Sequence, residues 1–130
     1  MSQNLLNSAA PLIGRILLAQ LFVVAGIRKI MYFGPTSAYF GKLGLPMPEV
    51  TTAIVIAIEF IGGAMLLTGK RMNIAACVLA AFTLAATYFG HAFWTAEPAQ
   101  FANQLNHFLK NLAIVGGLLL LVPLAARKSR

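Results

Sequence analysis

The chain has 130 residues, of which 59% are hydrophobic and only 10% charged, and its mean hydropathy is +0.80. Soluble domains run at about 45–50% apolar and about 25% charged, so an ordinary soluble fold is excluded and an all-α integral membrane protein is expected. The net charge of +7 comes from ten Lys and Arg against three acids. With no basic run interleaved with aromatics, those cations are read as marking membrane edges rather than binding nucleic acid. The single cysteine, Cys77, cannot close an intramolecular disulfide or form a CxxC pair.

Four long apolar runs follow one another within a single domain, 1–130, at about 10–28, 50–69, 72–94 and 108–126. Each is long enough to cross a bilayer as one helix, since about 20 residues at roughly 1.5 Å rise span the hydrocarbon. The first opens on Pro11, a residue suited to a first helical turn, and closes on Arg28 and Lys29. With no basic segment before it and three spans after it, it is read as an uncleaved transmembrane helix. Between the first and second spans, 31–50 carries Tyr32, Phe33, Tyr39 and Phe40, with Pro35 and Gly44 as start and stop signals. The expectation is a short interfacial helix with its rings at headgroup level. The segment 95–107, with Glu97, Gln100, Asn103, Gln104 and Asn106, is polar and is expected to form a second surface segment. Basic residues at 70–71 and in the tail outnumber those at the other end, which places both termini in the cytoplasm.

Glu59 sits near the middle of the second run, TTAIVIAIEFIGGAMLLTG. An ionised carboxylate at that depth costs on the order of 3 kcal/mol even on lenient scales, so it requires a partner from another helix. Gly62 and Gly63, one turn on, let a neighbouring backbone approach that face. In the first span Arg15 and Lys29 fall on one stripe but about 21 Å apart. In the third, Thr83, Thr87 and His91 stack at i+4 steps; in the fourth, His107 lies one turn before Asn111, beside Lys110. Alternating helix directions gather Lys29, His91, His107, Lys110 and Asn111 towards the outer end, with Glu59 inward of them.

Each candidate has an ordinary alternative. Lys29 and Lys110 can snorkel to the interface, His107 can be a solvated residue, and His91 can be satisfied by water. Thr83 and Thr87 can bond their own helix backbone. Arg15 can form a structural ion pair with Glu59. A haem between His91 and His107 lacks other support, and no metal-ligating set is read. The small faces Ala76/Ala80 and Ala113/Gly117 suit internal packing or a homodimer.

The segments GRILLAQLFVVAGIRKI, GLPMP, IEFIGGAMLLTGKR and NHFLKNLAIVGGLLLL, in that order over about 14–121, resemble the DoxX family of small four-helix membrane proteins. The resemblance implies a bacterial inner-membrane protein with four spans. It also implies a link to redox chemistry: the family is named for a subunit of a thiosulfate:quinone oxidoreductase, and some relatives are tied to oxidative-stress defence. Arg15, Lys29, Glu59, His91, Lys110 and Asn111 stand where the family pattern places polar residues. Two functional expectations follow. In one, the protein is a component of a quinone-linked redox system, working with a redox partner protein, whose polar pocket binds a quinone or another amphiphile. In the other it is a non-enzymatic module that anchors, binds or transports a small molecule among membrane lipids.

Overall fold

The computed structural model describes residues 2–128, and these form five α-helices with no strand among them. They are α1 (Gln3–Met31), α2 (Phe33–Lys42), α3 (Pro48–Thr68), α4 (Met72–Gly90) and α5 (Pro98–Lys128), with a short 3-10 turn at Phe93–Thr95 before α5. Helices α1, α3, α4 and α5 are long and apolar enough to cross a membrane, and α2 is the short helix expected between the first two spans. Ser129 and Arg130, part of the basic tail, lie outside the described residues.

Two helices start earlier than the apolar runs alone suggest. Ser2 caps α1, its Oγ accepting from the Leu5 N–H at 3.4 Å, so Pro11 lies inside the helix and not in its first turn. Proline removes one backbone donor there, and the affected turn includes exposed Asn7, where water can satisfy the freed carbonyl. The segment 98–107 likewise is no separate surface segment but the beginning of α5. Pro98 suits a helix start, and the polar residues lie on helical turns rather than in a loop.

The four spans form a ring. α1 packs along α3, α3 on α4, α4 along α5, and α5 returns to α1, while the diagonal pairs have no close backbone approach among the described residues. Side-chain size sets the closest contact. A Cβ on Gly26 would stand 3.2 Å from the Phe60 nitrogen, and one on Gly63 would stand 3.0 Å from the Val23 nitrogen. These glycines let α1 and α3 run antiparallel nearly backbone to backbone, which fixes their register. Gly69 ends α3 with φ 80°, a left-handed cap that glycine adopts without strain, and a tight turn leads into α4.

The two ends of the ring differ. Towards the 69–71 turn the interior is solid: Leu66, Ala76, Leu79 and Leu118 are fully buried and Met72 and Leu121 nearly so. The side chains Ala76 and Ala80 are used in this internal packing, and Gly117 faces Leu18 of α1. Outward-facing residues such as Leu17 and Leu120 are 61% and 72% exposed, as a lipid-facing surface requires. The buried polar side chains Ser37, Thr52, Glu59, Thr83 and Thr87 lie from mid-bundle towards the α2 end. There Ser37 donates to the Thr52 hydroxyl at 2.9 Å, Thr52 in turn donates to the Pro48 carbonyl at 2.7 Å, and α2 is thereby fastened to the first turns of α3.

The glycine contacts give a direct test. Gly63→Ala should lower bundle stability by about 1–3 kcal/mol through overpacking against α1. Gly116→Ala, where a Cβ meets nothing within 4 Å, should leave it unchanged or raise it slightly. Denaturant titration in mild detergent reads both; equal behaviour of the two variants would refute the close α1–α3 approach.

Candidate functional site

The antiparallel register that sets Gly26 on Phe60 also brings Lys29 to Glu59. Lys29 Nζ donates to both carboxylate oxygens, 3.0 Å to Oε1 and 2.9 Å to Oε2. The Glu59 side chain is 7% exposed and that of Lys29 25%, so the pair is held largely out of water. Removing two ions from water costs several kcal/mol each, and only close, well-made hydrogen bonds offset it. A lysine in the last turn of a long helix is well placed for this: its stem crosses apolar surface while the ammonium reaches inward.

Arg15 is not that partner. About 21 Å from Lys29 along α1, it stands at the far end of α3, its guanidinium 3.0 Å from where a Cβ on Gly69 would lie. A cation there faces the negative end of the α3 dipole, which accounts for its position without the carboxylate.

Beside the ion pair opens a cavity of about 470 Å³ between the N-terminal half of α3 and the C-terminal half of α4. Lys29 and Glu59 form its polar base. Val55, Phe82, Ala86 and Phe89 make apolar walls, α2 and the following loop close one side with Tyr39, Phe40, Leu43 and Leu45, and His91 lines it at the end of α4. A second, smaller pocket of about 150 Å³ lies on the other side of the carboxylate, against α1 and α5, and Asn111 lines it. Below both, Gly62 lets Leu79 fill the space between α3 and α4, and the solid core begins. The polar centre therefore communicates with the α2 end of the bundle and is sealed from the opposite end.

His91 is held by α5. Its Nδ1 lies 2.9 Å from Gln104 Oε1, and its ring stacks on His107 with centroids 4.8 Å apart and planes 17° apart. Rings stacked face to face leave no room for a haem iron between their nitrogens. Among the described residues no group of three His, Cys, Asp or Glu side chains gathers to hold a metal ion. Thr83 and Thr87 donate to the Leu79 and Thr83 carbonyls of their own helix at 2.7 and 2.6 Å. Lys110 is exposed and lines neither cavity, and Cys77 is also exposed.

The geometry thus gathers Lys29, Glu59 and His91 around one cavity, places Asn111 behind Glu59 and His107 behind His91, and leaves Arg15 and Lys110 outside. Sequence reasoning missed Gln104 and the walls from α2. Gln104 precedes His107 by one helical turn, a spacing that signals a shared face once 98–107 is known to be helical.

A four-span helical membrane protein, closed at one end and carrying a buried lysine–glutamate pair under a cavity at the other, is the class that fold and site define. A family model described as DoxX matches residues 10–92, and the chain belongs to the DoxX family. It is 30% identical to the Escherichia coli inner membrane protein YphA over 110 residues, covering 85% of this chain and 79% of that one. It is 36% identical to the Escherichia coli inner membrane protein YqjF over 118 residues, covering 89% and 84%. Family and spans together identify a bacterial inner-membrane protein. No solved structure matched the chain.

Breaking a buried pair from one side leaves an uncompensated charge. Lys29→Met or Glu59→Leu alone should destabilise the bundle by about 3–5 kcal/mol, whereas the double variant should recover most of that loss. Thermal melts and denaturant titrations of the three variants in detergent decide it. Singles that behave like the parent would show that the pair is not what satisfies the carboxylate.

Proposed function

We propose that the protein is a one-sided binding module for a small amphiphile of the quinone type. The observation that carries this reading is the cavity of about 470 Å³, apolar in its walls and charged at its base. Small-molecule sites occupy about 300–1,000 Å³ and pair mostly apolar lining with a few convergent polar groups. An oxygen of the ligand would accept a charge-assisted hydrogen bond from Lys29, while ring and tail lie against Phe82 and Phe89.

Binding is favoured over passage across the membrane because the core of Leu66, Leu79 and Leu118 blocks the other half of the bundle. The resemblance to a family named for a subunit of a thiosulfate:quinone oxidoreductase supports a redox setting, in which electrons would come from a partner protein. The excess of cations at the 69–71 turn and tail supports cytoplasmic termini, with α2 and the cavity mouth on the outer side.

Protein purified gently should carry a solvent-extractable quinone or comparable amphiphile, identified by mass spectrometry. Ala86→Phe, which fills the cavity wall, should reduce the amount at least several-fold. Parent protein without any retained amphiphile, and without affinity for an added short-chain quinone, would refute the reading. For orientation, Lys42→Cys in a Cys77→Ser background should react with an impermeant maleimide applied to spheroplasts; labelling only after lysis would reverse the topology.

A further inference from the structure

The hydrogen bond between His91 and Gln104 constrains the chemistry of the cavity mouth. In the orientation the Gln104 amide takes here its oxygen faces His91 Nδ1 at 2.9 Å, and because an amide oxygen only accepts, this pairing goes with a proton on Nδ1. In a neutral imidazole the other nitrogen, Nε2, is then an acceptor. No hydrogen bond to Nε2 is formed among the described residues, and His91 is a cavity-lining residue whereas Gln104 is not. Stacking on His107 fixes the plane of the ring. The imidazole is thus held by α5 from outside the cavity, with its tautomer chosen for it.

We propose that Gln104 is a positioning residue that makes His91 Nε2 a hydrogen-bond acceptor for a hydroxyl of the bound amphiphile. The ligand class narrows accordingly: the preferred occupant carries a phenol-type hydroxyl near the cavity mouth, as a quinol does and a quinone does not. This rests on the binding reading above and adds to it the identity of the group recognised at the mouth.

Two measurements separate the inference from the reading beneath it. In protein with 15N-labelled histidine, reconstituted in nanodiscs without ligand, nitrogen shifts should report His91 protonated on Nδ1. Gln104→Leu should release that preference towards Nε2–H, and Gln104→Glu, which keeps an accepting oxygen, should restore Nδ1–H when read at alkaline pH, where the ring is neutral. An Nε2–H tautomer in the parent protein would overturn the proposal while leaving the cavity intact.

The second measurement compares 4-nonylphenol with 4-nonylanisole, which differ in having and lacking the hydroxyl donor. At alkaline pH, where the ring is neutral, the phenol should bind the parent protein about tenfold more tightly, lose that advantage in Gln104→Leu and keep it in Gln104→Glu. Equal affinities, or an advantage that survives Gln104→Leu because the hydroxyl sits on Glu59, would overturn the proposal. Failure of both probes to bind would remove the binding reading itself and the inference with it.

Discussion

A carboxylate buried in the middle of a membrane helix needs a cation, and the α2 end of this protein is built to supply one. Lys29 reaches Glu59 because α1 and α3 are antiparallel and close, and they are close because Gly26 and Gly63 present no side chain to each other's helix. Moving the register by one turn would displace the ammonium by about 5.4 Å and leave both charges unpaired. Packing and electrostatics therefore specify the same alignment.

The rest of the bundle divides around that pair. On one side large aliphatic side chains interlock with alanines and form a dry core; on the other the helices separate, and α2 with its following loop supplies the missing wall. The Ser37–Thr52–Pro48 hydrogen bonds show how α2 is held there, through two hydroxyls whose donors are both used inside the protein. Such bonds matter more in an apolar setting, because an unpaired buried hydroxyl has no water to turn to. The short helix is thus part of the cavity and not merely an ornament of the membrane surface.

Much of this organisation is legible in the sequence, and the limits are specific. Hydrophobic run lengths reveal four spans because the bilayer sets them, and Glu59 declares itself because a charge in such a run has few physical excuses. Gly62 and Gly63 announce close packing for the same reason. Which cation meets the carboxylate is not legible, since both Arg15 and Lys29 lie on one stripe of α1, and only the depth of α3 relative to α1 chooses between them. The helical start of α5 is hidden by its polarity: Gln100, Asn103 and Gln104 read by composition as a separate surface segment, although Pro98 marks a helix start. The cavity walls from Tyr39 to Leu45 depend on how α2 folds back, which no local pattern encodes.

A buried ion pair is a poor way to stabilise a helix bundle, because well-packed apolar residues of similar volume often do as well or better. Stability alone therefore does not account for Lys29 and Glu59. What accounts for them is their position: they sit where packing stops, with a cavity against the pair and a second pocket behind the carboxylate. The pair keeps the base of the cavity strongly polar while carrying no net charge. It can therefore offer both a donor and an acceptor to an uncharged ligand, which an isolated lysine or glutamate at that depth could not do without neutralising first.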